Sequence, residues 1–181
     1  MLNTILLIGL SGAILMFIGD MVLYYSKEDY VGTVTLNAII DIMKKESRTR
    51  LYAGGIIGPI AAFLYCIGYY HLILVMNEEF QMFGWVCFFI NSLGIICGGV
   101  YHSHCAYFGL LGRYDDKEIV DEVHKYLNVQ KTVSFGLQGI GFLMLPLTRK
   151  LPKGLHMIIS GGWTNLISVI YYAVALGTVY F

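Results

Sequence analysis

The length of its apolar runs constrains this chain more than any other feature. Residues of about 3–25, 51–76, 80–111, 132–148 and 155–180 are dominated by apolar side chains, and about 20 such residues in a helix cross a hydrocarbon core of about 30 Å. Inside a bilayer only helices and closed barrels satisfy every backbone polar group. Runs of this length without alternation select the helix. The expected fold is an all-α, polytopic integral membrane five-helix bundle, a single transmembrane domain over residues 1–181. Asn77, Glu78 and Glu79 alone separate the second and third runs, and Arg149 to Gly154 separate the fourth and fifth. Each pair is therefore expected to form an antiparallel hairpin.

Charge agrees with this reading. Only 13% of residues are charged, with twelve basic and twelve acidic side chains, against about a quarter charged in an average soluble domain. A neutral chain without a basic, aromatic-rich stretch gives no electrostatic basis for binding nucleic acid. Cys66, Cys87, Cys97 and Cys105 lie in the apolar runs without a C-x-x-C pair, so they read as buried thiols and not as an exchange centre. The first run lacks a basic leader and a small-residue cleavage site and carries Asp20. It is expected to be retained rather than removed as a signal peptide.

The two longer connections hold amphipathic stretches, Leu36, Ile39, Ile40 and Met43 before Lys44 and Lys45, and Ile119, Val120, Val123 and Tyr126 among acids and Lys125. Both are expected to lie along the interface as short helices. Lys27, Lys44, Lys45, Arg48 and Arg50 share one side with Arg113, Lys117, Lys125 and Lys131, while Arg149, Lys150 and Lys153 fall on the other. By the positive-inside rule the cell-membrane protein has its N-terminus outside and its C-terminus in the cytoplasm.

Membrane helices pack through small residues, so a stripe of Gly, Ala and Ser marks the face that meets other helices. At about 100° per residue, Asn91, Gly94, Gly98, His102, Cys105, Gly109 and Gly112 share one sector of the third run. His104 points to the opposite face, so the H-x-H pair is not expected to hold one ion. In the first run Gly9, Ala13, Met16 and Asp20 align. Asp20 is thus a carboxylate on a packing face, and such residues meet a protein interior or a water-filled cavity. In the second run Gly54, Gly58, Ala61, Tyr65 and Gly68 form the stripe; His71 lies off it and reads as an interfacial anchor, and Pro59 is expected to free a backbone carbonyl. Lys131, Ser134, Gln138 and Gly141 align in the fourth run, and Gly161, Gly162, Asn165, Ser168 and Tyr172 in the fifth. Counted along the helices, Asp20, His102, Cys105, Lys131 and Arg50 share one end, with Asn91, Gln138 and Asn165 nearer mid-depth. Asp20, Asn91, His102, Gln138 and Asn165 are the expected ligand-binding residues of a polar intramembrane pocket.

Gly19-Asp20, Arg50 through the G-G-x-x-G-P of Gly54 to Pro59, and Tyr101-His102 together resemble an uncharacterised bacterial family of small polytopic, five-helix membrane proteins. That resemblance implies the topology and brings no activity with it. Three functions are compatible with the residues. The first is binding or transport of a small amphipathic molecule, lipid or ion, with Asp20 supplying the charge and a homo-oligomer supplying enough helices for a pathway. The second is a membrane-embedded enzyme using Asp20 and His102 as an acid-base pair, or as ligands of one metal with Cys105. The third is an accessory subunit whose glycines serve packing alone. No recognised catalytic spacing accompanies the pair, so residue types fix neither cofactor nor metal.

Overall fold

The computed structural model describes residues 1–25, 40–41, 43–114 and 116–144. The described residues are helical, with no strand among them: α1 Leu2–Tyr24, α2 Arg48–Tyr69, a short α3 His71–Leu74, a 3-10 turn Glu78–Phe80, α4 Gln81–Leu111 and α5 Lys117–Met144. Three helical stretches, Leu2–Tyr24, Arg48–Leu74 and Glu78–Leu111, are long and apolar enough to cross a membrane. Their outer faces carry Ile56, Phe63 and Phe89, each about 60% exposed or more. A continuous apolar surface of this extent is unsuited to water and suits acyl chains. The chain is a membrane protein.

Glycine sets the packing and its register. A methyl group added at Gly12 would meet Leu64 and Ala61, one at Gly19 would meet Ile57, and one at Gly54 would meet Leu23. Hence α1 and α2 run antiparallel with backbones in near contact. Gly55 abuts Ala106, Gly58 abuts His102 and Gly99 abuts Ala62, which makes α2 and α4 antiparallel in turn. Gly94 and Gly98 abut Gln138, while Gly141 abuts Asn91, so α5 returns along a different flank of α4.

Local signals explain the helix ends. Ser47 caps α2 by accepting from the Arg50 N–H at 3.2 Å, and Asp116 accepts from the Ile119 N–H at 3.1 Å before the first turn of α5. The Arg50 guanidinium donates to the carbonyls of Val22 and Tyr25 and pairs with Glu46. It thereby covers the open C-terminus of α1 with a positive charge, where carbonyls and dipole both favour one. Pro59 has no N–H for the carbonyl four residues earlier, that of Gly55. Ser103 of α4 supplies the missing donor, its hydroxyl lying 2.5 Å from the Gly55 oxygen.

Two expectations change. Residues 119–126 do not form a separate interfacial helix, because they continue without a break into the fourth apolar run as α5. The physical reason is α4, whose 31 residues reach about 46 Å and overshoot a hydrocarbon core of about 30 Å. Its protruding end supports the charged half of α5, with Phe108 stacked on His124 and His104 edge-on to Tyr126. His71 is no interfacial anchor either. It is 3% exposed and its Nδ1 lies 2.7 Å from the Gly68 carbonyl at the break between α2 and α3, where the turn carries it inward. Of the first amphipathic stretch, Ile40 and Met43 are buried, Met43 filling the space left by Gly109; Leu36 and Ile39 lie outside the described residues. The run at 155–180 and residues 145–148 of the fourth run also lie outside them.

Candidate functional site

The helix packing delivers one ionisable pair to the interior. His102 is 4% exposed, seated on α2 where Gly58 leaves no side chain in its way. A methyl group at Gly58 would stand 2.8 Å from the ring Nδ1 and 2.9 Å from Cγ. On the other side Gly19 approaches the ring Cε1. The residue after Gly19 is Asp20, and its Oδ1 lies 3.2 Å from His102 Nε2. The contact is an ion pair by distance without the alignment of a hydrogen bond, and Nδ1 has no hydrogen-bond partner among the described residues. The imidazole is nearly enclosed at 5% side-chain exposure, whereas the carboxylate is open at 31%.

Around the pair stands a polar collar. Tyr24, one turn beyond Asp20 on α1, meets the His102 ring edge-on with centroids 5.5 Å apart. Cys105 is buried in an apolar cluster with Leu23, against which Tyr24 and Tyr101 pack. Asp20 and His102 are therefore brought together, with Tyr24 against the ring. Arg50 shares the level but is committed to Glu46 and the end of α1.

The mid-depth amides do not join this group. Asn91 is 4% exposed and donates to the Cys87 carbonyl of its own helix at 2.8 Å. Gln138 reaches across from α5 to the Gly94 carbonyl at 3.2 Å and to Ser134 at 2.9 Å. Both amides join α4 to α5, the role polar side chains commonly take between membrane helices. The small-residue stripe of α4 divides because one helix serves two neighbours: Gly99, His102 and Ala106 meet α2, while Asn91, Gly94 and Gly98 meet α5. Asn165 lies outside the described residues. His104 turns to α5, where its Nδ1 lies 2.7 Å from Gln130 Oε1. Among the described residues no three His, Cys, Asp or Glu side chains converge as a metal-ligand set.

Sequence reasoning passed over Tyr24 and Ser103. Tyr24 was findable from its spacing of four from Asp20. Ser103 was findable from the carbonyl that Pro59 orphans, which requires a donor at the same depth on a facing helix.

The profile of a family of unknown function, DUF6796, matches residues 1–161. No curated protein and no solved structure matches the chain.

Proposed function

The chain belongs to that family of unknown function, and from its own geometry we propose that it is a multi-pass membrane protein that binds or transports a small ion or amphipathic molecule at the Asp20–His102 pair. One observation carries this reading: a half-open carboxylate stands 3.2 Å from an enclosed imidazole between packed helices. A charge on a helix packing face is costly to insert, by up to about 3 kcal/mol at mid-membrane. Its retention is accounted for by a ligand or proton that it neutralises. Supporting polar groups are Tyr24, Tyr101 and Cys105, while Asn91 and Gln138 hold the bundle in shape.

The same proposal keeps five membrane helices, with 155–180 as the last, an outside N-terminus and a cytoplasmic C-terminus, so that the pair opens toward the cytoplasmic side beside Lys131. A pathway through so few helices calls for a homo-oligomer in contact with membrane lipid. An enzyme would need a reacting group beside the pair, and the thiol of Cys105 is only 2% exposed.

The test is thermal unfolding of the purified protein across pH and a panel of small cations, amines and lipids. Wild type responds to at least one of these conditions, Asn91→Ala and Gln138→Ala respond as wild type does, and Asp20→Asn loses the response. A response unchanged in Asp20→Asn would remove the pair from the function and leave the packing role alone.

A further inference from the structure

We propose that the basic patch where α1, α2 and α4 end together binds the headgroup phosphate of an anionic phospholipid, a site that does not rest on the reading of the Asp20–His102 pair. Two arginines from different elements build its frame. Arg50, in the first turn of α2, donates to the carbonyls of Val22 and Tyr25 and pairs with the Glu46 carboxylate. Arg113, just past α4, donates to the Glu46 carbonyl. Ile40 against Gly112 and Met43 against Gly109 seat the segment before α2 on the end of α4. Around this frame Lys44, Lys45 and Arg48 are exposed.

Charge and depth together identify the occupant. Among the described residues of 40–50 and at 113, these five cations stand against Asp41 and Glu46, which leaves the patch strongly positive. Both acids already have a cation, Lys44 beside Asp41 and Arg50 beside Glu46. At the opposite end of the bundle Tyr70, Trp85, Phe88 and Phe89 pack ring against ring, and Trp and Tyr settle at the membrane–water interface. The rise along α2 from Arg50 to Tyr70 is about 30 Å, the thickness of the hydrocarbon core. With the rings at one interface, Arg50 stands at the other, and the remaining cations stand among its headgroups. The anion met at that depth is lipid phosphate. Clusters of Lys and Arg directly beside a membrane helix recognise anionic headgroups, and a guanidinium matches phosphate in geometry. A zwitterionic headgroup carries its own compensating cation, so the patch is expected to select phosphatidylglycerol over phosphatidylcholine.

The experiment titrates the purified full chain in dodecyl maltoside micelles with phosphatidylglycerol, phosphatidylcholine or inorganic phosphate and reads the thermal unfolding midpoint. Phosphatidylglycerol is expected to raise the wild-type midpoint, and the other two are not. The combined variant Lys44→Gln, Lys45→Gln, Arg48→Gln leaves the arginine frame in place and is expected to bind phosphatidylglycerol about a hundredfold more weakly, at about fivefold per cation. Lys125→Gln removes an exposed cation of α5 that pairs with Glu122 and is expected to match wild type. Should the combined variant fail to fold, Arg48→Gln alone is read in the same way, with an expected loss of about fivefold. A response at the Asp20–His102 pair is distinguished by being lost in Asp20→Asn and kept in the combined variant. Equal stabilisation by phosphatidylcholine would overturn the anionic headgroup as the ligand, and equal stabilisation by inorganic phosphate would overturn the lipid. A phosphatidylglycerol response unchanged in the combined variant, or lost as much in Lys125→Gln, would overturn the patch as the site.

Discussion

Removing the Ser103 hydroxyl is expected to weaken the bundle, by an amount that depends on Pro59, a residue of another helix. Pro59 leaves the Gly55 carbonyl without a donor of its own helix, and Ser103 supplies one at 2.5 Å. With Ser103→Ala that oxygen is buried between α2 and α4 and unpaired, which costs about 1–3 kcal/mol. Pro59→Ala restores the N–H that belongs to this carbonyl. In that background the same Ser103→Ala change removes only a second bond to an oxygen already satisfied, and its cost falls to about 0.5 kcal/mol. The coupling between the two sites is then about 1 kcal/mol or more, within the range found for residues that share a partner. Reversible unfolding in mixed micelles, read for the wild type, both single variants and the double variant, measures it. An equal cost for Ser103→Ala in both backgrounds would show that the hydroxyl does not serve the proline's orphan, and the argument would fail.

Other expectations follow from the same packing. Gly58→Ala gains about 1 kcal/mol in helix propensity, but its methyl would stand 2.8 Å from His102 Nδ1, so overpacking of about 1–3 kcal/mol prevails; a lower unfolding temperature checks this. Gly136→Ala meets nothing within 4 Å and is expected to gain stability, by up to about 1 kcal/mol, in the same assay. Arg50→Met strips the carbonyls of Val22 and Tyr25 of their donor and is expected to cost about 1–3 kcal/mol, with faster amide exchange confined to the last turn of α1. Gln138→Leu is expected to lose about 0.6–2 kcal/mol of α4–α5 association, read as a lower unfolding temperature in the same assay.

The sequence carried the site further than it carried the outline of the helices. Asp20 and His102 were legible because each lies on a stripe of small residues, and a stripe marks the face where backbones meet. Their common depth followed from a fixed rise per residue. The separation of Asn91 and Gln138 from the pair was not legible, since a helical wheel gives the direction of a side chain without saying which of two neighbours lies there. His71 was misplaced because the wheel assumes one unbroken helix, and the chain turns at Tyr69 and Tyr70. The continuity of α5 was hidden by its composition. Charges in Lys117–Lys125 suggest a segment apart from the membrane run, but the protruding end of α4 gives that segment a helix to lie against.

Nitrogen NMR of the histidines, in the 15N-labelled full chain in nanodiscs, tests the central claim most directly. Five histidines are present, and the contact of Asp20 with His102 predicts that Asp20→Asn changes the ring-nitrogen signals of His102 and leaves those of His71, His104 and His124 as in the wild type. An unchanged His102 signal, or equal changes at all five, would contradict the pair and with it the function assigned to this site.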